Sequence, residues 1–277
     1  MKYKILSITG LILCCTCTIT RAQSLRYSTA LPYIGLSAYS TAQTDPLSFT
    51  TNQAALASVK QAGIGLYGER RFLLAATSSY VLANAIPAKM GNFGVQLNYS
   101  GFKNFNENKI GLAYARNLGP KIDIGVQFDY YSYRVASYGS ASTIIVEAGT
   151  IIHFTNKLNG GVHIYNPAGG KLGKDGDEKL AAAYKMGLGY DASENFLVSG
   201  EIIKEEDKPI NVVAGIQYHF AKQFFIHTGF MSESSTIFAG AGVGWGNMRI
   251  DVAGSYHQVL GFSPGILLLA DFGKRKE

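Results

Sequence analysis

The chain has 277 residues, 47% hydrophobic, 12% aromatic and 16% charged, with 32 glycines and a formal net charge of +6. The basic residues form no block and no RNA-binding signature, which sets nucleic acid aside as a partner. The three cysteines, Cys14, Cys15 and Cys17, all lie near the start, so the rest of the chain carries no disulfide framework, thiolate catalyst or cysteine metal site.

The first segment reads as export machinery. Lys2 and Lys4 make a basic n-region, Ile5 to Ile19 is mostly apolar, and Thr20-Arg21-Ala22 places small residues at −3 and −1 of a cleavage point before Gln23. Residues 1–22 are therefore predicted to be a secretory signal peptide. The flanks of Cys14, Cys15 and Cys17 fit a lipoprotein signal poorly. Removing Lys2, Lys4 and Arg21 takes the charge from +6 to about +3, because the segment holds no Asp or Glu.

Residues 23–61 do not alternate in polarity and form the second predicted unit, an N-terminal plug-like segment. Within it, Thr51 or Asn52 is placed to cap a short helix over Gln53–Val59.

From Ala62 onward the chain has period two. In Ile122-Asp-Ile-Gly-Val-Gln-Phe-Asp-Tyr130 the apolar residues share one parity and the polar residues the other. No stretch after residue 22 approaches the ~20 apolar residues of a spanning helix. Strands are predicted near 62–68, 75–86, 91–100, 108–117, 122–133, 143–154, 159–165, 179–190, 196–204, 211–219, 223–230, 236–245, 248–257 and 264–272. The fold class is thus all-β. The reading is a transmembrane antiparallel β-barrel over 62–277 of fourteen strands, with twelve as the alternative count and the N-terminal segment inside or across its lumen. Short predicted turns (87–90, 118–121, 155–158, 191–195, 220–222, 246–247) alternate with longer ones (101–107, 135–142, 166–178, 205–210, 258–263), as in barrels of the bacterial outer membrane. That compartment is the predicted location.

Parity also sorts the faces. Ile110, Leu112, Tyr114, Val212, Ile216, Ile250, Val252, Ile266, Leu268 and Phe272 are predicted to face lipid. Gln96, Asn98, Asp123, Gln127, Glu147, Lys185, Glu201, Arg249 and Asp251 are predicted to face the lumen, since a basic residue on the lipid face costs about 2–4 kcal/mol at midplane. Tyr99, Tyr133, Tyr165 and Tyr256 read as one aromatic girdle, and Phe154, Phe196, Phe224, Trp245 and Phe272 as the other. The lumen charges Glu147, Lys185, Glu201, Arg249 and Asp251 have two readings: ion pairs that lock a filled barrel, or the lining of a permeation path. Inward Gly111, Ala113, Gly240 and Gly242 leave room for the N-terminal segment, and a plugged lumen is favoured over an open pore.

No motif for chemistry stands out. His153, His163, His219, His227 and His257 show neither i, i+2 strand nor i, i+4 helix spacing. Gly169 to Gly176 lacks the spacing of a phosphate loop and has Asp175 where Ser or Thr is needed; it reads as the longest external loop. No catalytic residue, metal or cofactor is expected, and the chain is read as a non-enzyme.

The stretch Asp45-Pro46-Leu47-Ser48-Phe49-Thr50-Thr51-Asn52-Gln53-Ala54-Ala55-Leu56-Ala57 resembles the N-terminal signature of the PorV/PorQ family, with Gln53 in place of the usual proline. That family is related to the FadL long-chain fatty-acid transporters. The resemblance implies a fourteen-stranded barrel and singles out Asp45, Pro46, Asn52, Ala54, Ala55 and Leu56. It implies an accessory or scaffold role in type IX-like protein secretion or envelope assembly. Its partners would be secretion or assembly proteins and outer-membrane lipids. The alternative is a FadL-like channel for small hydrophobic solutes.

Overall fold

The computed structural model describes residues 36–172, 178–221 and 223–272. The predicted signal peptide, residues 23–35 and the tail after Phe272 lie outside the described residues.

Alternation becomes a closed wall. The barrel strands are β1 (Ala62–Arg70), β2 (Ser78–Ile86), β3 (Asn92–Phe102), β4 (Phe105–Asn117), β5 (Ile122–Val135), β6 (Gly139–His153), β7 (Leu158–Tyr165), β10 (Ala183–Ser193), β11 (Phe196–Glu205), β12 (Asn211–His219), β13 (Phe224–Met231), β14 (Thr236–Trp245), β15 (Met248–His257) and β16 (Gly261–Phe272). Each pairs antiparallel with its neighbours, and β1 pairs with β16 to close a fourteen-stranded barrel. A two-residue ribbon, β8 (Lys171–Leu172) against β9 (Glu178–Lys179), lies outside this wall. With an even strand number, the segment entering β1 and the end of β16 share one rim, here the terminal rim; the other is the distal rim.

The two faces separate as parity requires. Ile110, Leu112, Val212, Ile216, Ile250, Val252, Ile266, Leu268 and Phe272 are exposed on the outside. Gln96, Asn98, Asp123, Gln127, Glu147, Lys185, Glu201 and Asp251 are buried on the inside. An apolar outer band around a polar interior is the transmembrane form of this fold.

Three expectations are corrected. Tyr133 and Tyr165 do not belong to a girdle: they lie on the inward parity and pack in a cluster at the distal mouth with Tyr131 and Ile145. Tyr80, Tyr130 and Tyr184 take the outward positions there. Most distal loops are also shorter than predicted, because β5 and β6 run for 14 and 15 residues, beyond the ~9–11 that span a bilayer. Finally, β2 starts at Ser78, with Arg71–Leu73 and Ala75–Thr77 as 3-10 turns before it.

Residues 36–61 fold into the lumen as three 3-10 turns, Ser37–Tyr39, Ser48–Thr50 and Gln53–Ser58. The last is the predicted short helix in tighter form. Asn52 caps it, its side chain accepting from Ala54 N at 3.1 Å. Leu47, Phe49 and Leu56 form one apolar core with inward Tyr67, Val81, Ala83, Ala113 and Leu267. Ala54 and Ala55 pack with Ala38 and Ile151.

Candidate functional site: a plugged lumen

The plug is seated on glycine. Inward glycines remove side chains from the wall, so plug atoms come against strand backbone. A methyl group at Gly125 would lie 2.6 Å from Ala54 N, and one at Gly161 3.0 Å from Asn52 Nδ2. At Gly63 it would meet Pro46 Cγ at 2.7 Å, and at Gly94 Phe49 Cζ at 2.9 Å. At Gly187 and Gly189 it would overlap Tyr39. Gly111, Gly240 and Gly242, named from the sequence as room for the plug, instead receive side chains of neighbouring strands.

Polar ties fix the plug at several depths. Tyr39 Oη donates to Glu201 Oε2 at 2.8 Å, and Ser40 Oγ to Asp191 Oδ1 at 2.6 Å. Gln53 Nε2 donates to Glu147 Oε2 at 2.6 Å, and Ser58 Oγ to Asp123 Oδ2 at 3.2 Å. Asn92 Nδ2 donates to the carbonyls of Leu56 and Val59 at 2.7 and 2.8 Å. Asn52 Nδ2 reaches Thr150 O and Val162 O at 3.4 and 3.3 Å. Asp45 accepts from Leu47 N at 2.8 Å through Oδ1, and its Oδ2 lies 3.3 Å from Arg249 Nη1.

Of the lumen charges named from the sequence, Glu147, Lys185, Glu201 and Arg249 have charged partners. Glu147 meets Lys109 Nζ at 2.7 Å and His163 Nε2 at 3.0 Å; Lys109 is also 3.8 Å from Asp129. Lys185 Nζ lies 3.6 Å from Glu201 Oε1. Asp251 sits 3.7 Å from His227 Nδ1, beyond hydrogen-bond reach, and neither of its carboxylate oxygens has a hydrogen-bond partner. The pairs of Glu147 and Lys185 join wall strand to wall strand; they add little net stability, but breaking one leaves an uncompensated buried charge. Lys109, Asp129 and Asp191 were not singled out from the sequence, although their inward parity was the available signal; Tyr39 lies in the non-alternating plug, where no such signal exists.

The segment after β7 folds into the distal mouth instead of extending as a loop. Leu172, Leu180 and Ala181 are buried against Tyr131, Ile145 and Tyr165. Asn166 organises the turn: Nδ2 donates to Leu180 O at 2.8 Å and Oδ1 accepts from Gly170 N at 2.8 Å. Its φ of +51° is one that asparagine tolerates better than most residues. Residues 173–177, which include half of the Gly169 to Gly176 stretch, lie outside the described residues.

The wall of β12–β15 is built differently. Three side chains of β13 and β14 lie over glycines directly across the strand pair: Phe225 over Gly242, His227 over Gly240, and Phe238 over Gly229. The rings continue as a file, with His219 5.2 Å from Phe225 and Phe225 6.2 Å from His227. Arg249 covers Phe225 at 4.9 Å. A small void beside this file is lined by Leu36, Leu197, Ser199, Gln217, His227 and Phe238.

Little of this can do covalent chemistry. Ser58 Oγ meets the same Asp123 oxygen that His153 Nε2 meets at 3.1 Å, so the hydroxyl rests on the acid and not on the imidazole. Among the described residues no group of three or more His, Cys, Asp and Glu could hold a metal ion.

The class is a transmembrane β-barrel with an internal plug. No protein-family model matches the sequence, and no curated protein matches it. Solved structures share the fold. The P. putida toluene transporter TodX aligns with a TM-score of 0.61 at 11% identity, over 84% of this chain and 95% of its own. The CymD monoaromatic hydrocarbon channel aligns at 0.59 and 12% identity, over 84% and 94%. A Pseudomonas aeruginosa FadL homologue aligns at 0.57 and 10% identity, over 86% and 94%.

Proposed function

We propose that the protein is an exported outer-membrane barrel that passes small hydrophobic solutes, a FadL-like channel whose N-terminal segment forms its plug. The observation that carries this reading is the likeness in fold to TodX, CymD and the FadL homologue, nearly end to end on their side. The apolar mouth cluster and the ring-lined wall fit an uncharged solute. The distal rim is then external, and residues 1–22 are removed on export. The test is accumulation of labelled toluene in a bacterial host whose own outer membrane excludes hydrocarbons. Expression should raise the uptake rate above that of the empty host; an unchanged rate refutes the channel.

A second reading, an accessory or scaffold barrel of PorV/PorQ type in secretion or envelope assembly, is favoured by one feature. The Asp45–Ala57 motif that carries the resemblance packs inside the lumen and is tied to the wall there. A filled barrel suits a subunit whose work lies on its surface. Affinity purification in mild detergent separates the two: stoichiometric secretion proteins support the scaffold, and a lone barrel supports the channel.

A further inference from the structure

The terminal rim carries a run of bare positive charge. Going round the barrel, exposed Lys60 precedes β1, Lys89 stands in the turn between β2 and β3, Arg116 lies at the end of β4 with Lys121 in the turn that follows, and Lys157 stands in the turn between β6 and β7. Along this arc no acid is exposed among the described residues; Asp123 is buried there against Ser58 and His153. None of the five bases makes an ion pair among the described residues, whereas Lys109, Lys179, Lys185, Lys208 and Arg249 elsewhere in the molecule all do. The distal rim also exposes bases, such as Lys103 and Arg134, but exposed Asp207 and Glu233 share that rim with them. Like charges on one arc repel one another, and a partner of opposite sign relieves that repulsion.

We propose that this arc binds the headgroups of anionic phospholipids in the leaflet that meets the terminal rim. The proposal concerns the rim and not the lumen, so it stands under either reading of function. The arc is held in shape. Tyr114 Oη donates to Met90 O at 2.6 Å, which ties the first turn to β4, and His153 N donates to Lys121 O at 2.9 Å, which ties the second turn to β6. In the third, Thr155 Oγ1 accepts from Lys157 N and Leu158 N at 3.1 and 2.9 Å. Successive turns stand two strands apart, roughly 10 Å, so neighbouring bases can grip one headgroup or adjacent ones. The same turns carry outward apolar side chains: Leu118, Ile122 and Phe154 are 56%, 41% and 54% exposed. Cations beside an outward apolar band sit at headgroup depth, where their stems lie along apolar surface and their charges reach phosphate. Arg116 decides between lipid and a soluble acidic partner. It shares the outward parity of Ile110, Leu112 and Tyr114 and lies across the strand pair from Ile124, so it faces lipid.

The test moves the single tryptophan into the arc. Trp245→Phe combined with Phe154→Trp places it between Lys121 and Lys157, and Ile122→Trp is the second reporter. The protein, purified from the outer membrane of an expressing host, is reconstituted into bilayers of phosphatidylcholine with rising fractions of phosphatidylglycerol. One lipid or the other carries brominated acyl chains, which quench a tryptophan they touch, and the quenching gives the relative binding constant of the two lipids at the arc. Phosphatidylglycerol is expected to win by at least about fivefold, the contribution of one basic residue at an anionic surface. Lys89→Gln, Arg116→Gln, Lys121→Gln and Lys157→Gln together should bring the ratio close to one, while Lys89→Arg, Lys121→Arg and Lys157→Arg together should preserve it. A ratio near one with the native bases in place, a ratio that survives the four glutamines, or its loss in the arginine variant overturns the proposal. A ratio near one together with a co-purifying acidic protein that the four glutamines release assigns the arc to a protein partner instead.

Discussion

Gly187→Ala isolates the seating of the plug in one methyl group. Its carbon would overlap the Tyr39 ring and lie 2.6 Å from Oη. Tyr39 is 0% exposed, so the ring has no solvent to retreat into. Restoring van der Waals contact moves Oη away from Glu201, which it now meets at 2.8 Å. Loss of a hydrogen bond to a charged group costs about 1.5–3 kcal/mol, and overpacking a filled site costs about 1–3 kcal/mol more. Relief of glycine's chain entropy returns roughly 0.5–1 kcal/mol. The net expectation is a loss of about 2–5 kcal/mol. Urea unfolding in detergent micelles measures it, with Trp245 as reporter: it is the single tryptophan and is 83% exposed on the outer surface. The decisive comparison repeats the change in a Tyr39→Ala background, where the new methyl has space and the cost should vanish. A full cost persisting in that background, or no cost in the native chain, refutes the idea that glycine at 187 exists to seat Tyr39.

Other perturbations test other ties. Asn92→Ala strips the buried carbonyls of Leu56 and Val59 of their donor; a loss of about 1–3 kcal/mol is expected, with faster amide exchange over 53–59 in hydrogen-exchange mass spectrometry. Glu201→Leu strands Lys185, whose side chain is 1% exposed, at about 3–5 kcal/mol. The combination Glu201→Leu, Lys185→Met and Tyr39→Phe removes the three polar groups that meet one another and should recover most of that in the same unfolding assay. Arg249→Ala frees one oxygen of Asp45 and uncovers Phe225 at a mostly buried site, so the expected cost is about 1–3 kcal/mol; amide exchange should rise over 44–51. Leu180→Asp should expel the mouth segment, seen as new proteolytic cleavage near residues 167–182 with an unchanged barrel midpoint.

The barrel was legible because its signal is local. Period two in one strand, such as Ile122 to Tyr130, already says which residues meet lipid, and a closed sheet repeats that message in every strand. The plug's cap at Asn52 was legible for the same reason: cap and first turn are neighbours in sequence. What failed depends on register. Gln53 and Glu147 are 94 positions apart, and nothing in either stretch says they meet. Tyr133 and Tyr165 were assigned to a girdle by their height alone, yet they sit on the inward parity under a segment that returns into the mouth. The ring file was missed although half its signal was present. Phe225 and His227 have inward parity, as do Gly242 and Gly240, but only the β13–β14 register puts each ring opposite its glycine.

Thirteen of the wall's seams join strands consecutive in the barrel's chain order, and one, β1 to β16, joins its ends. In that seam Ala62 faces Phe272, with nearly the whole barrel between them in sequence. The plug is tied directly to β1, while the seats that receive it lie mainly on β5–β10. In chain order the plug and its seats both precede the last strand, so the β1–β16 seam is the pairing that encloses the plug. Contacts of such long sequence separation form late and slowly. A chain that stalls before β16 would present two bare sheet edges, the state most open to pairing with the wrong neighbour.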